Sequence, residues 1–381
     1  MIADHWQGHV IFSDLTNDIV VGRKHFLVGE SVASHASISA DNVTALIVTY
    51  GSRAHLTSAV IRRLSEIDVA QIILVDNGSV PTADGTYQTL ATELSQLKVL
   101  SLPENLGSAE GFSAGIKDFL ANGKTAYLWV LDDDNLPDVD ALRALSCVAD
   151  ELQRVEDCED PVLHCSRADA READAVALAS GEPKTLSANH FMSFSVRGWF
   201  SAKLGRTQDQ AIENPNEYVE IHRGSYGGLF ASRSNIAAIG LPHAHFVLYA
   251  DDTEYTYRFF KQGIRQFLIA NAKIRDLEPT FTAGADYFDV SMSDAKVYFS
   301  IRNHTSLSQG LRHSKITYEL NKRWLLSLLT IRALRGFFKS PSFTIRRCSL
   351  ILRAIRHGES NNFGVASLVQ FDDWNASRGL L

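Results

Sequence analysis

From Val43 onward the chain alternates short apolar runs rich in β-branched residues with stretches of helical periodicity, and that alternation is its strongest constraint. Val43 to Thr49, Ile72 to Val75, Lys98 to Leu102 and Ala126 to Leu131 read as strands. Helices are expected between them at about 52–67, 85–97 and 109–122. Continuous apolar strands separated by helices predict a mostly parallel sheet covered on both faces, a doubly wound α/β arrangement of about 100 residues. Alternation resumes after residue 226, with a strand at 227–232, a helix at 234–239, a strand-like Phe246 to Tyr249, a helix from about Asp252 to Gln262, and a strand at 265–269. Helical periodicity then dominates from about Asp294.

Composition closes several alternatives. At 381 residues, 45% apolar and 21% charged, the chain is long enough for a large core or two packed domains, and it is neither disordered nor collagen-like. Residues 1–41 read as a small β appendage, 42–290 as the main domain and 291–381 as a basic helical region. The four cysteines form no CxxC pair and no basic, apolar leader precedes them, so a reducing cytosolic compartment is expected and a zinc site is not. The longest compact apolar runs, such as Trp324 to Ile331 with its Ser327 and Thr330, are far short of the roughly 20 residues that span a bilayer.

The sharpest chemical signal is Trp129-Val130-Leu131-Asp132-Asp133-Asp134, an apolar strand running straight into three carboxylates. Like charges at a strand end call for a positive partner, and Mg²⁺ or Mn²⁺ shared with substrate phosphates is the natural one. The plain alternative is a solvated acidic turn before the next helix. A second strand end, Val75-Asp76-Asn77-Gly78-Ser79, offers groups that can bind a base or ribose, or simply an ordinary turn. In Asn105-Leu106-Gly107 and onward, glycines recur at 107, 111 and 115. That spacing is not the dinucleotide GxGxxG; it suits either a helix lying close to the sheet or a helix start facing a diphosphate. Asp251, Asp252 and Glu254 form a second acid cluster, suited to a helix N-terminus or to a general base.

In this order the motifs resemble those of the family 2 glycosyltransferases, inverting nucleotide-sugar-dependent enzymes of the GT-A fold, over roughly residues 43–305. The resemblance implies a GT-A, Rossmann-like core with donor contacts at Thr49, Tyr50, Asp76, Asn105, Gly107, Gly111, Asp132 and Asp133. It places metal ligation at Asp132 and Asp134 and makes Asp252 the catalytic base, with Asp251 and Glu254 as its alternates. The glycine series, the triple aspartate, Tyr226-Gly227-Gly228 and Tyr298-Phe299-Ser300-Ile301-Arg302-Asn303-His304 look most like galactofuranosyltransferases, so UDP-galactofuranose ranks above dTDP-rhamnose as donor. Arg302 and His304 become further candidates for the diphosphate. The family's metal-binding His, about 24 residues after the base, has no counterpart in 272–279; Asp276 is the candidate replacement, with Lys273 or Arg275 as alternative neutralisers. Trp199, Gly227 and Gly228 are candidate acceptor contacts, the aromatic ring stacking on a sugar or serving in the core.

Residues 312–356 hold eleven Lys/Arg and one acid, leaving the rest at net −17. Arg332, Arg335 and Lys339 lie at helical spacing beside apolar residues, and Arg346, Arg347, Arg353 and Arg356 repeat the pattern. A basic amphipathic helix pair suits an anionic membrane surface, or else an oligomer contact, and no nucleic-acid motif accompanies it. The expected protein is thus a peripheral enzyme on the inner face of the cytoplasmic membrane. It would add galactofuranose to a lipid-linked or polysaccharide acceptor of an envelope glycan, using Mn²⁺ or Mg²⁺. A rhamnosyl- or other hexosyltransferase is the nearest alternative, with a nucleotide-sugar-binding scaffold behind it. A nucleotidyltransferase would want a better phosphate loop than Thr49-Tyr50-Gly51-Ser52-Arg53.

Overall fold

The computed structural model describes residues 38–79, 85–167, 172–183, 185–204, 216–278, 287–364 and 371. The expected N-terminal β appendage, through residue 37, lies outside them.

The first half follows the alternation: β1 (Val43–Thr49), α1 (Ala54–Glu66), β2 (Gln71–Asn77), α2 (Thr86–Glu93), β3 (Leu97–Leu102), α3 (Ser108–Asn122) and β4 (Tyr127–Asp132). Strands β3, β2, β1 and β4 are hydrogen-bonded in that order and all parallel, so their carboxyl ends share one edge. Every residue of β1 is buried because both faces of the sheet are covered. Val43, Ala45 and Ile47 point toward α1, against Val60, Ile61 and Leu64. Leu46 and Val48 point to the opposite face, against Phe112, Ile116 and Phe119 of α3. The period-2 geometry of a strand therefore feeds two cores from one uninterrupted apolar run.

The second half departs from a simple repeat. After β5 (Asn135–Pro137) and α4 (Ala141–Glu156) come β6 (Val162–Ser166), α5 (Glu172–Ser180), α6 (Val196–Lys203), β7 (Tyr218–Ile221), β8 (Leu229–Ser232), α7 (Arg233–Ile239), α8 (Asp251–Lys261) and β9 (Gln266–Asp276). Strand β8 runs antiparallel to β4, and the sheet continues through β6 and β9 to β5, with β7 on β9. The sheet is thus mixed, parallel on one side of β4 and largely antiparallel on the other.

Phe246 to Tyr249, expected to be a strand, is not one. Its backbone makes a 3-10 turn over Ala244–Phe246 and then carries Val247, Tyr249 and Ala250 at positive φ. Its carbonyls are taken by side chains rather than by a neighbouring strand.

The C-terminal region is helical, with α9 (Asp294–Gly310), α10 (Lys315–Phe337) and α11 (Pro341–Glu359). Ser293 and Ser314 cap α9 and α10 through their hydroxyls, and Pro341 opens α11, where its missing N–H costs nothing. Tyr298, Phe299, Tyr318, Ile351 and Ile355 form a third core that also takes in Val247, so the turn before α8 is packed against these helices. No helix among the described residues is long and apolar enough to cross a membrane.

Candidate functional site

The two acid clusters, 119 residues apart in sequence, meet at the carboxyl edge of the sheet. Asp132 ends β4 and Asp251 and Asp252 begin α8, and the charge of Asp132 acts on Asp251. Tyr226-Gly227 lies between them. The Tyr226 hydroxyl feels both Asp251 and Asp252, while a Cβ on Gly227 would sit 2.6 Å from Asp132 Oδ2 and 2.1 Å from Asn135 Oδ1. Gly227 is therefore required by the packing of the acid turn itself. Gly228, at φ +94°, similarly lets Cys165 and Ile274 approach.

The three consecutive aspartates have three different surroundings. Asp133 is buried, accepts from Thr49 Oγ1 at 2.9 Å and from Arg53 Nε at 2.8 Å, and is shifted upward by burial against those two attractions. Asp134 accepts from Arg53 at 2.9 Å, and burial followed by the charge of Asp132 raises its pKa. Asp132 is the open one, with 39% of its side chain exposed and Arg167 at 3.7 Å. Arg167 is almost wholly buried, 3.3 Å from Asp276 Oδ1, and donates to Ser225 Oγ at 2.6 Å. Asn135 donates to Asp134 at 3.2 Å and to Asp276 at 2.8 Å.

Asp132, Asp134 and Asp276 are thus tied together through the Asn135 amide and the guanidinium groups of Arg53 and Arg167. Among the described residues no group of three or more His, Cys, Asp or Glu side chains is placed to hold a metal by itself. The donor set fits a hard divalent ion bound through one or two carboxylates, Asp132 foremost, with phosphate and water oxygens completing its shell.

At the other strand ends, Asp76 Oδ1 accepts from Ser79 N at 2.9 Å, closing its own turn. Asn77 ties that turn to the next loop, donating to Gly107 O at 2.9 Å and accepting from Leu106 N at 3.0 Å. Asn105 accepts from Gly107 N at 2.9 Å. The glycine series serves close packing: a Cβ on Gly111 or Gly115 would strike Val48 or Leu46 of β1, and one on Gly107 would lie 2.1 Å from Val247 O. The first turn of α3 is occupied by that carbonyl, through Ala109 N at 3.3 Å. Tyr50 is half-exposed beside Arg53, with the guanidinium 5.7 Å from the ring centre.

Around α8, Asp251 is buried and accepts from Ser108 Oγ at 2.8 Å. Burial, and then the neighbouring Asp252, push its pKa up to about 8. Asp252 is partly open, and its Oδ1 accepts from Thr253 N at 2.6 Å. Glu254 is instead clamped by Arg258 one helical turn on. His304 donates from Nδ1 to Ser300 O at 2.8 Å, leaving Nε2 as the acceptor nitrogen; burial lowers its pKa, and it feels Asp252 and Arg223.

Arg302 is fully buried, held down to about pKa 10 by burial, and donates to the carbonyls of His245 and Phe246. Asn303 donates to those of Phe246, Leu248 and Tyr249, each at 2.8 Å. Both residues therefore build the turn that delivers Asp251 and Asp252. Trp199 packs edge-on against Phe200 at 4.9 Å and Trp324 at 5.7 Å, at the junction of α6 and α10.

Four participants escaped sequence reasoning: Arg53, Arg167, Arg223 and Asn303. Arg223 is partly buried, and of the charges that oppose its desolvation that of Asp252 acts most strongly. Asn303 stands inside the singled-out 298–304 segment and Arg53 at the end of the 49–53 segment, whereas Arg167 and Arg223 had no local signal.

Asp251 makes stability depend on pH. Its folded pKa is raised from the ordinary 3.8, so its contribution is full below that value and is lost as pH rises toward about 8. Asp251→Asn keeps an acceptor for Ser108 without the buried charge. It is expected to raise the melting temperature at pH 8 by at least a few degrees relative to the parent, with the gain shrinking toward pH 4, as measured by thermal unfolding across that range.

Residues 44–154 match the model of the family described as Glycosyl transferase family 2. That stretch runs from β1 into α4 and holds Thr49, Asp76, Asn105 and the triple aspartate, so this part of the chain carries a family 2 glycosyltransferase domain. With the mixed sheet and the C-terminal helices, the chain is of the α/β class expected from the sequence. No curated protein matches the chain. Among solved structures, similarity is found to the mannosyltransferase PcManGT from Pyrobaculum calidifontis in complex with GDP-Man and Mn²⁺, at 13% identity over 89% of this chain and 83% of that one, TM-score 0.45. S. aureus TarS 1–349 in complex with UDP-GlcNAc is similar at 12% identity over 85% and 88%, TM-score 0.45. Likenesses at those scores add nothing to what the site itself says.

Proposed function

We propose that this chain is an inverting glycosyltransferase that moves galactofuranose from UDP-galactofuranose to a hydroxyl of a lipid-linked or polysaccharide glycan during envelope-glycan synthesis. The observation that carries the reaction class is the convergence of open Asp132 and partly open Asp252 on one edge of the sheet, beside the ends of β1 and β2. Crevices beyond strand carboxyl ends are where open α/β sheets bind ligands. Tyr50 and Asp76 stand at those ends and suit the nucleoside, Tyr50 offering a half-exposed ring, whereas Thr49 is fully buried and its hydroxyl is given to Asp133. The furanose donor and the glycan acceptor rest on the sequence resemblance.

In this reading the acceptor oxygen attacks the anomeric carbon as its proton passes to Asp252, and the bond from that carbon to the diphosphate oxygen breaks, releasing UDP. Asp251, carrying a proton below about pH 8, withholds its own negative charge from the site beside Asp252. Bound at Asp132, Mn²⁺ or Mg²⁺ would supply positive charge to the leaving diphosphate.

Calorimetry with UDP, UDP-galactofuranose, UDP-galactopyranose and dTDP-rhamnose, with and without Mn²⁺, tests the assignment. Binding strongest for the furanose donor and dependent on Mn²⁺ is expected. A dTDP preference would move the activity to rhamnosyl transfer, and silence toward every nucleotide would sink the enzymatic reading.

A further inference from the structure

The segment between Leu320 and Gly358 contains nine Lys/Arg and no acid, and the fold turns it into a helical hairpin. Helix α10, 23 residues and about 35 Å long, buries only Tyr318, Asn321 and Leu325, all in its first half. Ile316, Leu320, Ile331, Leu334 and Phe338 are exposed at spacings that place them along one face of α10 and its C-cap. Phe338 is 86% exposed and stands beside exposed Phe337 at the hairpin tip. Arg323, Arg335 and Lys339 are exposed on the same helix and turn, and Arg353 and Arg356 on α11, beside exposed Leu352.

A row of exposed large apolar side chains opposes the hydrophobic effect unless something covers it. Phe, Leu and Ile are the side chains that gain most from full burial. The charge pattern narrows the covering partner. Two copies meeting through the Arg335, Lys339, Arg353 and Arg356 end of this face about a two-fold axis would bring cationic surface against itself, so pairing is opposed by like charge. An anionic leaflet answers both features at once, with phosphates for the arginines and acyl chains for the aromatic tip.

We infer that the α10–α11 hairpin docks this protein on an anionic lipid surface, with Phe337 and Phe338 entering the headgroup–acyl boundary and Arg335, Lys339, Arg353 and Arg356 lying over the phosphates. The site at the carboxyl edge of the sheet is linked to this anchor through Val247, which packs in the same core as α9 and α11. The inference is independent of which sugar, if any, the chain transfers.

The test is flotation of the full chain with vesicles of phosphatidylcholine alone or with about one third phosphatidylglycerol. Binding only to the anionic vesicles is expected. It should weaken as salt rises from about 0.1 M to about 1 M and the screening length falls from about 10 Å to about 3 Å. Arg335→Glu with Lys339→Glu is expected to lower partitioning by about fivefold or more per site, and Phe337→Ser with Phe338→Ser by tenfold or more. Both double variants alter exposed positions and should retain the parent's melting temperature. Failure to float with anionic vesicles at 0.1 M salt would overturn the inference, as would flotation that neither pair of substitutions changes. So would a dimer in light scattering that the Phe337/Phe338 variant dissolves, since that would make the face a contact between copies.

Discussion

Asp252→Asn is expected to reduce the rate of sugar transfer by about 10²–10⁴-fold while leaving the affinity for UDP within about twofold of the parent. An amide preserves the shape of the carboxylate and can still accept from Thr253 N, but it cannot take the acceptor's proton. The loss therefore belongs in kcat, with little change in the donor's KM. Radiolabelled donor turnover and calorimetric UDP binding on the same preparation separate the two effects. Near-parental turnover would reject Asp252 as the base and leave Asp251 as the remaining carboxylate of the pair, because Glu254 is committed to Arg258.

Asn303→Ala is expected to cost about 2–5 kcal/mol of stability and to depress turnover as well. Its amide group serves three carbonyls of the turn before α8, and Arg302 reaches only one of those, Phe246 O. Removing it strands the carbonyls of Leu248 and Tyr249 in a site where Asn303 itself is fully buried, and each unmet group costs about 1–3 kcal/mol. The turn already holds Val247, Tyr249 and Ala250 at positive φ, so those side-chain bonds are what maintain an unfavourable backbone. Chemical denaturation gives the stability loss. A drop in kcat beyond the unfolded fraction would show that the turn also aims Asp252. A variant with parental stability would mean that the turn is held by its packing instead.

The elements that sequence reasoning placed well are those with local signals. Strand β1 is seven consecutive apolar or Thr residues, and α3 begins where Gly107 interrupts the strand pattern. Phe246 to Tyr249 misled for the same reason: four large apolar residues in a row mimic a buried strand, yet they are buried as a turn against the C-terminal helices. Strand β6 was hard to see because Val162–Ser166 is only five residues long and holds His164 and Ser166, polar groups whose burial depends on Gln266 and other distant partners.

The site divides the same way. That acids stand at the ends of β4 and at the start of α8 follows from the sequence, since a run of carboxylates after an apolar strand is a nearest-neighbour pattern. Which of those acids stays exposed was decided by the tertiary structure. Arg53, 79 residues before Asp132, neutralises Asp133 and Asp134, and Arg167, 35 residues after it, pairs with Asp276. Asp132 and Asp252 remain partly exposed. Local order fixes where a charge enters the fold, whereas its burial and its countercharge depend on segments far away in sequence that only chain folding brings alongside.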